Sequence, residues 1–503
     1  MRHSSRVKVA HVAVHLLLSA VVIQGLTQQG FAQNAPGTQH RAPSTSAVVP
    51  TVSLALCVGQ VAASRPYTEV FKSEFTHLKG EHASDEFGVA VASGDIDHDG
   101  YTDIVVGARG DVVTGDSKGM VYIYKGSKTG VATVPTLVLQ GEQSKGEFGR
   151  TLIAGDINSD GYADVIVGSH GFNAGEGTHQ GKVFIYLGGP KGIDSTPSQT
   201  LLGEVKGSEF GRVFDIVDMN KDGINDLLIS ASGFSGEFRN QGKAYVYLGT
   251  RSGINPKPYF TAVGEKENDE FARSIAGADV NGDGMTDLIV GASGGTGGNA
   301  SKNTVPGTLY VFYATVKGLI EPFNAKFEGE FPKGHLGEGL SAVGDINHDG
   351  YADVAIGARD YACGNGVAGK VYAYLGGPAG LSSNRLWTAI GIGSGGVGRS
   401  MAPAGDVDGD GFEDFLSGAP VGTVAKGAGV YVFFGGATGW GSNPVIVNAN
   451  DGENAIGFGV FSGGDVNGDG APDIVVGARD GGESKQGWAR VYYGKKGSVA
   501  IKR

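Results

Sequence analysis

The chain has 503 residues, of which 89 are Gly, and its formal net charge is −12. Its Gly content is far above the usual ~7% but follows no three-residue period, which excludes a collagen triple helix. Hydrophobic residues make up 40% of the chain, which excludes a largely disordered protein, and the acidic balance argues against a nucleic-acid partner.

Residues 1–32 have the layout of a secretory signal peptide. Basic residues precede an apolar run from Val9 to Ile23, and Gly30 and Ala32 are the small residues of a cleavage site after Ala32. A membrane anchor is the alternative, but a run of about 15 residues is too short to span a bilayer comfortably. We therefore predict a cleaved signal and a mature protein without a membrane span, which is secreted, periplasmic or on the cell surface.

Residues 33–65 are rich in Ala, Pro, Ser, Thr and Val, a composition that favours a flexible tether. Cys57 lies in this segment, and Cys363 is the second of the two cysteines of the chain. Export would permit a disulfide, but nothing in the sequence brings these two residues together. The remaining residues, 66–503, are predicted to form one domain.

One segment recurs seven times within residues 66–503. Its first copy is GDIDHDGYTD, residues 94–103. The first Asp residues of the seven copies are Asp95, Asp156, Asp218, Asp279, Asp345, Asp406 and Asp465. The intervals between them are 61, 62, 61, 66, 61 and 59 residues. Units of this regularity indicate a repeat architecture, in which neighbouring units bury a shared core.

Each unit contains four short segments with the composition of β-strands. The first unit carries the pairs Gly80-Glu81 and Phe87-Gly88, and an apolar stretch then leads into the Asp loop. After the loop come a β-branched run from Ile104 to Ala108, an alternating aromatic run Val121–Tyr124 and a short apolar segment Thr136–Leu139. Runs rich in Val, Ile, Tyr and Phe and bounded by Gly are typical of strands. Helix signals are almost absent, so we predict an all-β fold.

Four-stranded units repeated seven times favour a seven-bladed β-propeller. The seventh unit contains only three strand segments before the sequence stops, and an orphan strand candidate from Val70 to Leu78 precedes the first unit. If this N-terminal segment supplies the fourth strand of the last blade, the ring closes without an exposed edge. An open solenoid with capping repeats is the alternative, but the missing and surplus strands match and no distinct caps are visible.

The repeated loops carry oxygen ligands at fixed positions, counted from the first Asp. Positions 1, 3, 5 and 9 are Asp or Asn, position 6 is always Gly, and position 7 is chemically mixed, as expected if only its backbone carbonyl is used. The side-chain candidates are Asp95, Asp97, Asp99, Asp103; Asp156, Asn158, Asp160, Asp164; Asp218, Asn220, Asp222, Asp226; Asp279, Asn281, Asp283, Asp287; Asp345, Asn347, Asp349, Asp353; Asp406, Asp408, Asp410, Asp414; and Asp465, Asn467, Asp469, Asp473. The position-7 candidates are Tyr101, Tyr162, Ile224, Met285, Tyr351, Phe412 and Ala471.

Oxygen ligands at positions 1, 3, 5, 7 and 9 around an obligatory Gly are typical of a calcium loop. No thiol or imidazole is placed to attract zinc or copper, and Mg²⁺ prefers fewer protein ligands. The loop is not an EF-hand, because position 12 lies within a strand segment and is never Glu. A single such loop is often an Asx-rich turn, but seven copies with the same ligand positions favour up to seven Ca²⁺ sites.

Electrostatics also favours bound cations, since 23 Asp side chains occupy the loop positions. Two carboxylates about 4 Å apart repel by roughly 4 kcal/mol at an effective dielectric constant of 20, so Ca²⁺ should stabilise the blades. Removal of the three basic residues of the signal peptide takes the formal charge from −12 to −15, and seven Ca²⁺ would leave −1. The acidity of the chain therefore reflects its metal sites.

The Phe-Gly, Gly-Ala and Asp-loop pattern resembles FG-GAP repeats, the unit of the integrin α-subunit N-terminal propeller, over about residues 69–503. The resemblance implies Ca²⁺ in the hairpin between the first two strands of each blade and ligand recognition on the opposite face. Departures from the motif remove no metal ligand: Leu336 and Val397 replace Phe, Ala272 replaces Gly, and Ser230-Ala231 replaces Gly-Ala. The loops expected on the ligand face are 109–118, 170–180, 232–241, 293–306, 359–368, 420–428 and 479–486.

Arg109-Gly110-Asp111 lies in the first of these loops and is the tripeptide that many integrins bind as a ligand. Gly-Ala-Arg recurs at Gly357-Ala358-Arg359 and Gly477-Ala478-Arg479, so Arg109 belongs to the repeat pattern. We therefore interpret the tripeptide as a coincidence.

The fold and the lack of catalytic groups favour an exported calcium-binding module, for adhesion or surface recognition, whose ligand is a protein or a glycan. The His residues that remain after signal removal are scattered, and neither a nucleophile elbow nor an HExxH motif is present. A hydrolase is the alternative, because FG-GAP repeats also accompany the catalytic domain of glycosylphosphatidylinositol-specific phospholipase D, although residues 33–65 are too short for such a domain. A purely structural cell-envelope protein is the third possibility.

Overall fold

The structure is a computed structural model that describes residues 65–110, 118–175, 179–294, 306–363, 366–383, 387–391, 395–420, 428–437, 440–441, 444–447 and 456–495. All of them belong to the unit Ser53–Arg503. The predicted signal peptide, residues 1–32, and the predicted tether up to residue 64 lie outside the described residues.

Seven four-stranded sheets follow one another along the chain, one for each repeat, and we number them as blades one to seven. Within each blade four strands pair antiparallel in the order first, second, third and fourth. The first strands are Phe87–Gly94, Thr151–Gly155, Phe214–Val217, Phe271–Ala278, Leu336–Ala342, Ser400–Gly405 and Ile456–Gly464. The second strands are Asp103–Ala108, Asp164–Ser169, Asp226–Ala231, Asp287–Ala292, Val354–Ala358, Asp414–Ala419 and Asp473–Ala478.

The outer half of each blade is formed by a third and a fourth strand. The third strands are Met120–Tyr124, Lys182–Tyr186, Lys243–Tyr247, Thr308–Phe312, Lys370–Tyr374, Gly429–Phe433 and Trp488–Gly494. The fourth strands are Leu137–Gln140, Gln199–Leu202, Phe260–Val263, Ala325–Glu328, Trp387–Ile390, Val445–Val447 and, for blade seven, Phe71–Lys79. The predicted all-β, seven-bladed β-propeller is therefore confirmed.

A few shorter elements complete the described part of the chain. One is the 3-10 helix Tyr67–Glu69, and no helix among the described residues is long and apolar enough to cross a membrane. The others are three pairs of two-residue strands: Gly249–Thr250 with Gly253–Ile254, Ala314–Thr315 with Gly318–Leu319, and Ala362–Cys363 with Gly366–Val367.

The ring closes through the N-terminal strand, as the sequence predicts. Phe71–Lys79 pairs antiparallel with Trp488–Gly494, the third strand of blade seven. A further strand, Arg65–Pro66, pairs parallel with Val445–Val447 and adds a fifth strand to blade six. This pairing is not visible in the sequence, and it places Arg65, the last residue of the predicted tether, on the propeller.

The hydrophobic core of the described residues consists of seven clusters, and each lies between two adjacent blades. The third strand of blade one shows how the sequence produces this arrangement. Tyr122 and Tyr124 pack towards blade seven, whereas Val121 and Ile123 pack towards blade two. Because side chains alternate across a sheet, a strand with apolar residues at every position can join a core on each side. One cluster joins blades seven and one, which also closes the ring.

The Phe-Gly and Gly-Ala pairs serve the contact between blades. A Cβ at Gly107, in the Gly-Ala pair of blade one, would lie 1.9 Å from the carbonyl oxygen of Gly149, in the Phe-Gly pair of blade two. Phe148 packs edge-on against Phe184 with ring centroids 5.2 Å apart. Backbones can approach this closely only where no side chain intervenes. Ser230 and Ala272, the two residues that depart from the glycine pattern, occupy the corresponding positions of blades three and four.

The antiparallel order of the strands separates two faces. We call the face with the seven Asp loops the Asp face, and number these loops one to seven: 95–103, 156–164, 218–226, 279–287, 345–353, 406–414 and 465–473. The connections from second to third strands, and from each blade to the next, lie on the opposite face. The loops predicted for that face are therefore on it, as far as the structure describes them.

Candidate metal centres

The carboxylate at position 1 organises each Asp loop through backbone hydrogen bonds. Its Oδ2 accepts the N–H of the position-6 Gly in all seven loops, at 2.7 to 2.9 Å. In loop two, Oδ1 of Asp156 also accepts the N–H of Asp160 at 3.1 Å. Gly161 has a φ of +93°, and no atom lies within 4 Å of the position where a Cβ would be. The obligatory Gly is therefore explained by backbone conformation alone.

Positions 3 and 5 complete this frame. Oδ1 of the position-5 Asp accepts the N–H of position 7 in every loop, at 2.9 to 3.1 Å. In loop two, Asn158 accepts the N–H of Asp160 and donates from Nδ2 to Oδ2 of Asp160 at 2.9 Å. Because position 7 takes part in this frame through its backbone, its side chain can vary as the sequence shows.

The position-9 Asp is buried in all seven loops and has a role that the ligand pattern did not predict. Oδ2 of Asp164 accepts the N–H of Ile157 at 2.9 Å, and Oδ1 accepts the N–H of Gly188 at 2.7 Å. The equivalent pair of bonds exists in each loop and joins it to the C-terminal end of the third strand, through the second residue after that strand in blades one to six and through its last residue, Gly494, in blade seven. Burial raises the pKa of Asp164 to about 7 and that of Asp414 to about 8.

Loops one and six gather the most carboxylates, because position 3 is Asp rather than Asn in both. Among the described residues, two groups of three carboxylates have oxygen atoms within 4.8 Å of one another: Asp95, Asp97 and Asp99 in loop one, and Asp406, Asp408 and Asp414 in loop six. Oδ1 of Asp97 is buried and has no hydrogen-bond partner among the described residues. Carboxyl groups this close together repel once they are ionised, so a nearby positive charge favours their ionised forms. The donor set and its spacing therefore fit a hard divalent cation.

Among the described residues, lysine ammonium groups contact carboxylates of two loops, and neither contact is predictable from the sequence. The Lys125 ammonium group contacts Oδ2 of Asp97 in loop one and lies 3.9 Å from Oδ2 of Asp99. In loop seven, Nζ of Lys72 lies 2.6 Å from Oδ2 of Asp469, and this hydrogen bond raises the pKa of Lys72. An internal ammonium group thus lies where each of these loops needs positive charge.

Neighbouring Asp loops are also connected around the ring. Position 8 of one loop donates a hydrogen bond to the position-1 carbonyl oxygen of the preceding loop, from the backbone or from the side chain. The five such pairs in the described residues are Thr102 with Asp465, Ala163 with Asp95, Asn225 with Asp156, Thr286 with Asp218 and Ala352 with Asp279. The first of these pairs crosses the seam between blades seven and one.

The opposite face carries a set of charged residues that the sequence motifs did not predict. Four of them are arginines that directly follow the Phe-Gly or Phe-Ala pair or its equivalent: Arg150, Arg212, Arg273 and Arg399. Together with Glu338 they line a cavity at the centre of the ring. The recurrence of Arg at this motif position was the available signal.

A His–Glu pair adjoins this set. Nε2 of the buried His170 lies 2.8 Å from Oε2 of Glu147, which Arg150 also contacts at 2.7 Å. Burial lowers the pKa of His170 to about 4, although the Glu147 carboxylate opposes the change. Burial raises the pKa of Glu147, but the His170 hydrogen bond and the nearby guanidinium groups outweigh it and hold that pKa well below its usual range. The pair is therefore a neutral imidazole that donates to an ionised carboxylate.

Arg109 of the Arg-Gly-Asp tripeptide is engaged inside the protein. Its Nε and one terminal nitrogen bond the two carboxylate oxygens of Glu86 at 2.5 and 2.6 Å, and its side chain is 10% exposed. Asp111 lies outside the described residues. The environment of Arg109 agrees with its interpretation as a repeat residue.

Comparison with known families identifies the same repeats. The FG-GAP repeat matches residues 87–124, 148–186, 271–312, 337–374 and 459–501, and the FG-GAP-like repeat matches residues 218–290. Every matched range contains an Asp loop, and the matches fall in blades one to five and in blade seven. Blade six, in which Val397 replaces the motif Phe, lies outside these ranges.

Similar proteins include integrin α subunits and a phospholipase. Integrin alpha-5 of Xenopus laevis is 32% identical over 218 residues, which are 41% of this chain and 20% of the integrin. Integrin alpha-PS3 of Drosophila melanogaster is 34% identical over 237 residues, 44% of this chain and 20% of the integrin. Phosphatidylinositol-glycan-specific phospholipase D of Bos taurus is 28% identical over 211 residues, 39% of this chain and 25% of that protein. The matched part therefore spans a fifth to a quarter of these relatives.

Proposed function

The chain belongs to the FG-GAP repeat family, and on that premise we propose that it is an exported β-propeller that binds Ca²⁺ in its Asp loops and a protein or glycan ligand on the opposite face. The observation that carries the proposal is the single carboxylate frame that recurs in all seven loops. Such a frame is needed seven times only if each loop has the same task.

Up to seven Ca²⁺ ions are proposed, one in each Asp loop. The ligands would be the side chains at positions 1, 3, 5 and 9 and the backbone carbonyl of position 7, the residues assigned from the sequence. The Asp97 oxygen without a hydrogen-bond partner and the close carboxylates of loops one and six support this assignment. The ion supplies charge neutralisation and adds its binding free energy to the stability of the propeller.

Export is part of the same proposal. It rests on the signal-peptide pattern of residues 1–32, with cleavage after Ala32 and a tether over residues 33–65. N-terminal sequencing of the mature protein tests it, and a chain that retains residues 1–32 would contradict it.

The binding role draws on the integrin relatives and on the separation of the two faces. Two integrin α subunits match over more than two fifths of this chain. Metal loops on one face leave the loops of the other face available for recognition. We expect the mature protein to retain a partner in a pull-down if the ligand is a protein and on a glycan array if it is a glycan. Charge-reversing substitutions confined to the opposite face should abolish that binding.

The calcium proposal is tested by titration calorimetry and thermal unfolding of the full chain, with Ca²⁺ and with a chelator. We expect Ca²⁺ binding and a higher unfolding temperature with Ca²⁺. Asp160→Asn in loop two should remove or weaken one site, because Asp160 is exposed and both of its oxygens belong to the frame. Absence of bound Ca²⁺ together with an unchanged unfolding temperature would exclude the calcium proposal.

A hydrolase is the second candidate, because the phospholipase D relative matches 39% of this chain. The matched region covers only a quarter of that enzyme and overlaps the propeller repeats of this chain. A screen of phosphodiester and glycoside substrates decides between the two functions. Turnover of a substrate that is abolished by a substitution on the opposite face would establish an enzyme. If the protein has a structural role in the cell envelope, neither turnover nor a retained partner is expected.

A further inference from the structure

The centre of the propeller contains a cavity of about 280 Å³. Residues from the first strands of all seven blades, or directly before them, line its wall, so the cavity lies where the seven blades meet. We call it the axial cavity. The charged residues that line it are Arg150, Arg212, Arg273, Glu338, Arg399 and Arg479. A space of this size accommodates a small molecule or one side chain of a partner.

The charged rim of the axial cavity lies at the end of the ring that is remote from the Asp loops. Arg399 directly precedes the first strand of blade six, Ser400–Gly405, and that strand leads into Asp406 of loop six. Seven residues of extended chain span about 20 Å. The arginines and the Asp loops can therefore be perturbed separately.

Positive charge exceeds negative charge on the cavity wall, because five arginines face one glutamate. Glu338 is already bonded by Arg273 at 2.6 Å and by Arg359 at 3.0 Å. Arg150 and Arg212 pair with glutamates three residues earlier in the chain, and those glutamates do not line the cavity. Arg479 also has carboxylate partners outside the wall, since its Nε donates to Oδ2 of Asp480 at 3.3 Å and a terminal nitrogen lies 3.7 Å from Oε2 of Glu86. Arg399 therefore has the weakest carboxylate contact of the five arginines among the described residues.

Arg399 and Arg479 differ from the other arginines of this group in sharing a contact with one aromatic ring. Both lie against the ring of Phe458, with their central carbon atoms 4.4 and 3.7 Å from the ring centroid. Among the described residues, the nearest carboxylate oxygen to Arg399 belongs to Glu338, at 3.9 Å, beyond hydrogen-bond distance. Burial and the neighbouring guanidinium groups lower the pKa of Arg399 to about 9.

We propose that the axial cavity binds a carboxylate ligand, held by the guanidinium group of Arg399 with Arg479 beside it. The inference deepens the proposed binding role, on which it rests, by naming the site and the chemical class of the ligand. A guanidinium fork matches a carboxylate in a bidentate manner. Glu338 shows that the same cavity already holds one carboxylate between arginines. Apolar residues deeper in the wall, among them Leu340, Met401 and Phe461, suit the hydrocarbon part of the acid.

A small organic acid and an acidic side chain of a partner present the same chemistry, and the test separates these sources. The Ca²⁺-loaded full chain is titrated with succinate and with a capped Gly-Glu-Gly peptide, each compared with its neutral amide analogue. We expect saturable binding of at least one acid, weaker binding at higher salt concentration, and no binding of the amides. Binding of succinate assigns a small acid, whereas binding of the peptide alone assigns a partner side chain. Equal binding of acid and amide, or of neither, would overturn the proposal.

Two variants test the residues. Arg399→Gln should weaken acid binding at least about tenfold, the change expected when a charged hydrogen-bonding partner is lost. Arg251→Gln is the matched control, because Arg251 is exposed and lies on the Asp face, and it should bind the acid as the parent does. If Arg399→Gln does not fold, Arg399→Lys keeps the charge but not the fork and should bind several-fold more weakly. Unchanged binding in either Arg399 variant would overturn the assignment.

Ca²⁺ titration of the same variants distinguishes this inference from the proposed function. Substitutions at Arg399 should leave Ca²⁺ binding unchanged, because the Asp loops lie at the other end of the strands. If the parent chain binds the acid but no Ca²⁺, the calcium proposal is refuted and the axial site stands. The reverse result would refute the axial site alone.

Discussion

Replacement of Lys125 by Met should raise the Ca²⁺ affinity of loop one. The Lys125 ammonium group contacts Asp97 and lies 3.9 Å from an oxygen of Asp99, both of which are proposed ligands. An incoming cation must therefore displace this group from the carboxylates. Met removes the internal charge while it keeps a chain of similar length and apolar character.

The size of the effect follows from the exposure of the pair. Two charges about 4 Å apart attract by roughly 4 kcal/mol at an effective dielectric constant of 20. The Lys125 side chain is 36% exposed and that of Asp97 is 11% exposed, so solvent and salt reduce this value to about 1 kcal/mol. One kcal/mol corresponds to about a fivefold change in affinity. We therefore expect a roughly fivefold lower dissociation constant for loop one in Lys125→Met.

The measurement must report on single loops. The Gly100 N–H donates to Oδ2 of Asp95, so its NMR signal should follow occupancy of loop one during a Ca²⁺ titration. The Gly161 N–H serves the same purpose in loop two and should not respond to the substitution. Lys128→Met is the matched control, because Lys128 is exposed in the same connection. An unchanged midpoint at Gly100, or an equal shift in Lys128→Met, would refute the reasoning.

Three further predictions concern stability. Gly161→Ala should lower the free energy of unfolding in urea by about 1–2 kcal/mol, because a φ of +93° is strained for Ala even though the space around it is open. A smaller decrease would contradict the explanation by backbone conformation. Gly107→Ala should lower the free energy of unfolding more than Gly161→Ala does, because its Cβ would lie 1.9 Å from the Gly149 carbonyl oxygen. Equal decreases in the two variants would argue against a tight contact between blades. The pKa of His170 is lowered to about 4 in the folded protein, so the unfolded chain takes up a proton at higher pH than the folded protein does. The free energy of unfolding should therefore fall by up to about 3 kcal/mol between pH 6.5 and pH 4. In urea unfolding, the free energy of unfolding of His170→Gln should fall less between pH 7 and pH 5 than that of the parent protein. Equal decreases in the two proteins would exclude His170 as the cause.

The strands and the Asp loops could be predicted because their signals are local. The alternation of aliphatic and aromatic residues in Val121–Tyr124 predicts a strand whose side chains point to alternate faces. The Gly at position 6 predicts a turn with a positive φ. Seven copies then make each weak signal strong. The match between one surplus strand and one missing strand was enough to predict closure by the segment near Val70 to Leu78.

The contacts that join distant parts of the chain could not be predicted. Lys72 and Asp469 are separated by 397 positions, and nothing in either segment specifies the other. The pairing of Arg65–Pro66 with blade six was hidden by a composition typical of a tether. Arginines after the Phe-Gly pair were visible, but only the ring brings such positions of different blades to one cavity. The sequence thus predicts the repeated unit better than the places where units meet.

The two lysine ammonium groups that contact Asp-loop carboxylates both lie beside the seam between blades seven and one. Closing a ring of about 400 residues costs roughly 5 kcal/mol of chain entropy, and the closing strand must offset that cost. Loops one and seven flank the seam and are joined by the Thr102 N–H to the Asp465 carbonyl oxygen. Among the described residues, these are also the two loops whose carboxylates contact a lysine, Lys125 in one and Lys72 in the other. Since Lys72 belongs to the closing strand itself, its bond to Asp469 ties that strand to loop seven before any metal binds. If the Asp loops bind Ca²⁺ as proposed, the lysines should keep the seam charge-balanced at low Ca²⁺ concentration, and the five remaining loops should depend more strongly on the metal.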